Sequence, residues 1–304
     1  VIASHQPELA GSPIFLIGLL LVLVGLGFKI AAFPFQIWAP DVYQGSPAPA
    51  TAFLAVGSKA AGFVLLIRLL TQAVPQIVHE WNRLFVVMAA ATIAYGSLCA
   101  LPQRNLKRLL GYSSIANAGY LLLGIVAMTP SGSSAVLYYL AGYFFTVLTA
   151  FTVICAITEQ VEGDDIASLA GLGQRSPFLA AALTLSLVSL AGIPPLAGFF
   201  GKVLLFRSVL ESAGAHPSFY PLLAVAVVGV VLSLYYYFGV IRSVYWGANP
   251  QSLAPIRTTL GTKVALTACI SGMLILGIAP NGLLKLADQA VQPKTATAQH
   301  TAAH

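Results

Sequence analysis

The sequence predicts an all-α polytopic membrane protein of about eight transmembrane helices, two of them broken by proline and related as parts of inverted repeats. Three observations predict it. Of 304 residues 58% are hydrophobic and 8% charged, with a mean hydropathy of +0.86, where a soluble domain carries about a quarter charged residues. Apolar runs long enough to cross a core of about 30 Å follow one another closely, and they lack the polar–apolar alternation of a transmembrane strand. Two of these runs are too long for one crossing, and both contain prolines.

In chain order the spans are expected at 12–43, 48–72, 83–102, 106–128, 133–159, 177–212, 218–246 and 262–280. Residues 1–11 begin with Val1 and carry no basic, apolar or small-residue signal pattern, so they are expected to be an outer-side segment of a chain with a truncated start. The loop QRNLKR supplies Arg104, Lys107 and Arg108, Arg175 precedes the sixth span, and Arg257 and Lys263 flank the last connection. The positive-inside rule makes these loops cytoplasmic and puts both ends outside, with Arg83 and Lys285 on the opposite side. Loop 160–176 is the one acidic run and reads as a solvated connector in which Asp164 or Asp165 caps a short interfacial helix. Residues 281–304 are expected to form a disordered tail, since 293–304 has no apolar period.

As continuous helix, residues 12–43 would reach on the order of 48 Å. Pro34 cannot donate to the carbonyl of Ile30, and Pro194 and Pro195 strand the carbonyls of Leu190 and Ala191 in AGIPPLAG. A kink relieved by neighbouring helices would account for either span alone. Together the breaks fall in the first and sixth spans, and an odd offset gives them opposite orientations, as inverted repeats require. The expected organisation is therefore 12–72 as the end of one repeat, 83–246 as a complete second repeat, and 262–280 as a final helix.

Cys99, Cys155 and Cys269 fall inside apolar spans without a CxxC pair, which excludes an iron–sulfur or structural zinc motif. His5, His79, His216, His300 and His304 are not paired at metal-ligand spacing, so no metal site is expected. The net charge of +6 belongs to orienting loops rather than to nucleic-acid binding. No hydrolytic triad, zinc helix or nucleotide loop is present in a suitable context.

Three lysines fall within spans: Lys29 before the first break, Lys59 halfway along TAFLAVGSKAAGFVLLIRLL, and Lys202 after the second break. Each costs roughly 2.5–3.5 kcal/mol at a helix centre, which marks them as functional. Burial favours the neutral amine and a nearby carboxylate or water favours the ammonium, so such lysines suit proton exchange. In YSSIANAGY, Ser113, Asn117 and Tyr120 recur on one helical face and could hold a file of waters, or simply join helices by hydrogen bonds. The fifth span adds Tyr139, Tyr143, Thr146 and Thr149. The triplet Tyr235, Tyr236 and Tyr237 reads as packing and interfacial anchoring.

Three stretches, FKIAAFPFQIWAPDVYQGSPAPATAFLAVGSK (28–59), RNLKRLLGYSSIANAGYLLLG (104–124) and SLAGIPPLAGFFGKVLLF (189–206), closely resemble the antiporter-like membrane subunit N (chain 2) of proton-pumping NADH:quinone oxidoreductase, respiratory complex I, in its C-terminal portion. The resemblance implies an antiporter-like fold, a place in a bacterial inner membrane, and other membrane subunits of that complex as partners. It makes Lys29 the lysine of the first broken helix, Lys59 the connecting lysine and Lys202 the lysine of the second broken helix, and the residues read above add Ser113, Asn117 and Tyr143 to the expected proton path. NADH, flavin, iron–sulfur clusters and quinone would belong to partner subunits and none to this chain. Two departures follow. The glutamate that pairs with the first lysine lies on a helix not in this sequence, and Asn117 stands where many relatives have histidine, leaving that link to water or Ser113. The alternative is a cation/proton antiporter subunit of the Mrp type, against which the PDVYQG stretch argues.

Overall fold

The computed structural model describes residues 12–74, 78–161, 163–247 and 255–291, and among these the regular structure is helical apart from one antiparallel bridge between Asn105 and Asp165. The segment 1–11, residues 292–304, the histidines at 5, 300 and 304, and the side chain of His79 lie outside the described residues. The first crossing is α1 (Pro13–Ile30), a break, and α2 (Trp38–Gly45). It leads into α3 (Ala48–Ala73), whose α-helical centre Lys59–Arg68 lies between π turns at Leu54–Ser58 and Leu69–Ala73. Then come α4 (Val78–Ala100), α5 (Leu106–Val126) and α6 (Pro130–Thr158). The second broken crossing is α7 (Pro177–Ala191) and α8 (Ala197–Ser212), followed by α9 (Phe219–Trp246), α10 (Leu260–Ile278) and α11 (Asn281–Val291).

Among the described residues, seven helices are long and apolar enough to cross a membrane unaided. The eighth crossing is the pair α7 and α8, of 15 and 16 residues, each too short alone because the prolines end the backbone ladder between them. The chain is thus a multi-pass membrane protein, as its composition predicts. Local chemistry sets several helix starts. The side chain of Asn105 accepts from Arg108 N–H, Thr129 from Gly132 N–H with Pro130 next in line, and Thr259 from Thr262 N–H.

The helix α5 is the axis of the bundle: 94% of its apolar window is buried, against 22% for α1 and 17% for α10. Any polar group on α5 must therefore be met by protein or by enclosed water. Close approach to α4 comes from glycines. A Cβ on Gly96 would lie 2.4 Å from the backbone nitrogen of Ala116, and one on Gly119 would lie 2.8 Å from that of Ile93. Backbone cannot yield as a side-chain tip can. Gly96→Leu should therefore prevent stable assembly, measured as the loss of folded protein from detergent extracts, while Gly214→Ala, with nothing within 4 Å, should be neutral.

Two expectations are corrected. Asn281–Val291 is helical rather than disordered. Leu284 N–H bonds to Pro280 O at 3.0 Å, and Ala287 is buried. Leu283, Leu284 and Ala287 recur at helical spacing on one covered face, a signal masked by the polar residues after it. In loop 160–176, Asp165 sits at the start of a short 3-10 turn (Ile166–Leu169) without a side-chain cap. Asp164 instead ties the loop to α5, accepting from Asn105 Nδ2 at 2.5 Å and pairing with Lys107 at 3.0 Å. A carboxylate opposite a lysine gains more from that pair than from one backbone N–H.

Candidate functional site

The two breaks have one backbone design. Ala31 and Gly192 both adopt the left-handed region, at φ 58° and 85°. The next residue turns back to the carbonyl five positions earlier, Ala32 N–H to Gly27 O at 2.9 Å and Ile193 N–H to Val188 O at 3.2 Å. Phe35 N–H then bonds to Ala32 O and Leu196 N–H to Ile193 O. Ala31, Ala32, Pro34 and Phe35 thus align with Gly192, Ile193, Pro195 and Leu196 at a constant offset, and Pro194 aligns with Phe33. This is the Schellman ending of a helix, used twice.

Side chains from other helices meet the groups each break frees. At the first, Thr92 Oγ1 accepts from Phe33 N–H at 3.0 Å, and Trp38 Nε1 donates to Phe28 O at 3.0 Å. At the second, Lys202 Nζ donates to the carbonyls of Leu190, 2.8 Å, and Ala191, 3.1 Å, the two that the prolines leave without backbone donors. Ser189 Oγ accepts from Gly198 N–H at 3.3 Å and meets Thr146 Oγ1 at 3.0 Å.

The same alignment shows that Lys29 and Lys202 are not equivalent residues. Lys29 aligns with Leu190, and Lys202 with Asp41, which pairs with Arg108 at 2.6 Å. Lys29 belongs to its helix end by sequence, whereas Lys202 reaches back to the matching end from beyond the break. A lysine stem of four methylenes spans that distance while its ammonium finds two carbonyl dipoles.

Lys59 is buried and donates to Ser114 O at 2.6 Å and Ser114 Oγ at 2.5 Å. Tyr43 OH meets the same Oγ at 3.0 Å, and the Tyr143 ring lies 5.9 Å from the ammonium, centroid to Nζ. One residue away on α5, Ser113 Oγ meets Tyr237 OH, and Asn117 Nδ2 donates to Ser113 O at 2.9 Å and to its Oγ at 3.3 Å. Asn117 Oδ1 accepts from Tyr139 OH. Tyr139 stacks on Tyr143, with centroids 6.3 Å apart. Lys202, also buried, stands over the ring of Tyr120 at 4.7 Å. A Cβ on its neighbour Gly201 would lie 2.3 Å from Tyr139 Cδ2.

The structure therefore brings Lys59, Ser113, Asn117, Tyr143 and Lys202 into a buried polar tract around α5, made of three hydrogen-bonded groups centred on Ser114, on Ser113 with Asn117, and on the carbonyls of Leu190 and Ala191. Lys29 stands apart. It lies in the last turn of α1 on an exposed face, and among the described residues it forms no ion pair. Its stem passes α3 one turn beyond Lys59, with Cγ 3.6 Å from where a Gly62 Cβ would be.

Sequence reasoning missed Ser114 and Tyr43, and misassigned Tyr237. Consecutive residues on a helix point about 100° apart, so a tyrosine triplet cannot all face lipid. The buried positions Gly229, Ser233, Tyr236, Tyr237 and Val240 recur at helical spacing and mark the inward face of α9. The same geometry splits Ser113 from Ser114. One turns toward α9, and the other toward α3.

A family described as the NADH:quinone oxidoreductase/Mrp antiporter transmembrane domain matches residues 2–233. Among curated relatives, NADH-quinone oxidoreductase subunit N of Desulforamulus reducens is 40% identical over 96% of this chain and 60% of its own length. That of Moorella thermoacetica is 43% identical over 91% of this chain and 57% of its own. A chain of respiratory complex I from Thermus thermophilus, solved with bound aureothin, superposes with a TM-score of 0.74 at 36% identity, covering 90% of this chain and 59% of that one. A chain of the Mrp complex from Dietzia superposes with a TM-score of 0.82 at 23% identity over 93% and 60% respectively, a likeness of fold. The sequence spans about 60% of the length of the first of these curated relatives.

Proposed function

We propose, from the premise that this chain belongs to the NADH:quinone oxidoreductase/Mrp antiporter transmembrane family, that it is part of a proton-translocating membrane subunit of an NADH:quinone oxidoreductase. The observation that carries this reading is the polar tract from Lys59 to Lys202 inside an apolar bundle. Each lysine ammonium holds its proton against carbonyl and hydroxyl acceptors, and none of these acceptors is a carboxylate. A small shift of either Nζ off its carbonyls weakens the charged form and releases the proton to water. Ser114, Ser113, Asn117 and Tyr139 then act as fixed stations, with enclosed water completing the steps between them. Lys29 supplies a third exchange point beside α3. Electron transfer lies elsewhere in such a complex, with NADH, flavin, clusters and quinone on partner subunits, and this chain contributes no redox centre. In this reading the chain sits in a bacterial plasma membrane beside other membrane subunits, which the bacterial subunit N relatives support.

The test replaces Lys29, Lys59 and Lys202 singly by Met in the complete protein and measures proton uptake by vesicles driven by NADH oxidation. Uptake should fall in the Lys59 and Lys202 variants by at least roughly tenfold, a threshold set below the roughly hundredfold or more that a positioned proton-transfer group contributes. Undiminished uptake in all three overturns the assignment. The fold likeness to the Mrp chain favours a second reading, a cation/proton antiporter subunit. Sodium-dependent transport without NADH oxidation would establish it.

A further inference from the structure

At the end of the bundle where α4 and α9 both terminate, a cleft of about 730 Å³ opens between the loop after α4, the segment 165–167 and the last turns of α9. We infer that this cleft is a binding site for an anionic phospholipid. Arg104 and Arg242 both line it. Both are exposed, and among the described residues neither guanidinium has an ion-pair or hydrogen-bond partner. The backbone of Arg104 and the side chain of Ser243, next to Arg242, are both tied to Ile166, since Ile166 N–H donates to Arg104 O at 2.7 Å and Ser243 Oγ donates to Ile166 O at 2.8 Å. Ile166 thus keeps the chain segments that carry the two arginines side by side at one cleft. Asp165 also lines the cleft, so two positive charges face one negative and the balance favours an anion.

Apart from Gln103, the rest of the cleft is apolar and aromatic. Tyr235, Gly239 and Arg242 recur at i, i+4 and i+7, on one face of α9. A Cβ on Gly239 would meet no atom within 4 Å, so the middle of this face is an open groove with the exposed rings of Tyr235 and Phe238 beside it. From Arg242 to Tyr235 the groove runs about 10 Å into the hydrocarbon, two-thirds of a leaflet of about 15 Å. A phosphate at the arginine pair with one acyl chain along this groove matches both parts of the cleft. A soluble phosphate would use only the first. Exposed Tyr245 and Trp246, next along α9, mark the interfacial level at which a headgroup lies.

The test uses the complete protein in its purified membrane complex and phosphatidylglycerol carrying a photoreactive group on its acyl chain, with labelled peptides mapped by mass spectrometry. Residues 235–242 should be labelled. Arg104→Gln and Arg242→Gln should each lower that labelling about fivefold, and together roughly thirtyfold. Gly239→Leu starts from a Cβ with no atom within 4 Å and projects into the groove, so it should lower labelling while leaving assembly intact. Excess inorganic phosphate should leave labelling in place. The inference is overturned by equal labelling with the phosphatidylcholine or phosphatidylethanolamine probe, by labelling unchanged in the double variant, by displacement with phosphate, or by a neighbouring subunit crosslinked across the cleft in place of lipid.

Discussion

Asn117→Leu in the complete protein is expected to separate the two halves of the tract, lowering NADH-driven proton uptake by at least roughly tenfold. Asn117 joins two partners at once, donating through Nδ2 to Ser113 and accepting through Oδ1 from Tyr139 OH. Leucine has similar bulk and neither function. It leaves the Tyr139 hydroxyl, buried beneath α5, without the acceptor it now has, at a cost of about 1–3 kcal/mol. Thermal stability of the purified complex should therefore fall, and this must be separated from the loss of transport. Asn117→His performs that separation, because imidazole can offer one donor and one acceptor in the same space. The histidine variant should keep most of the uptake. If the leucine variant transports as well as the unaltered protein, the tract from Ser113 to Tyr139 is not the route.

Much of this architecture is legible in the sequence because hydrocarbon imposes simple rules. Span lengths, helical rather than strand geometry, and the two broken crossings follow from apolar run length and from prolines that cannot donate. The expectation that Leu190 and Ala191 would need other donors is of this kind, and Lys202 occupies both carbonyls. What resisted reading were choices of direction around a helix. Lys59 could have turned to several acceptors, and its selection of Ser114 over Ser113 depends on where α3 crosses α5, which no local pattern encodes. Asp164 was misassigned for the same reason, since its partner Lys107 is distant in sequence. Lys29, though prominent in the sequence, lies on a face that this stretch of chain leaves exposed.

Gly192→Val is expected to disable the second break, and the first break supplies its control. Gly192 combines φ 85° with a position where a Cβ would lie 3.0 Å from Lys202 Cδ and 3.5 Å from Nζ. The left-handed conformation alone costs an L-residue roughly 1–2 kcal/mol. A branched side chain adds displacement of the lysine from the carbonyls of Leu190 and Ala191, leaving a buried ammonium without acceptors. Stability and proton uptake should both collapse. At the aligned position Ala31 already bears a Cβ at φ 58°. Ala31→Gly should therefore raise stability by about 0.5–1 kcal/mol, the relief of strain less the added freedom of the unfolded chain. A double-mutant cycle decides whether the damage runs through the lysine. In a Lys202→Met background, where no charge is left to strand, Gly192→Val should cost clearly less thermal stability than it does alone. Equal costs in both backgrounds would mean that the glycine serves only the turn, and that Lys202 holds its place at the break without it.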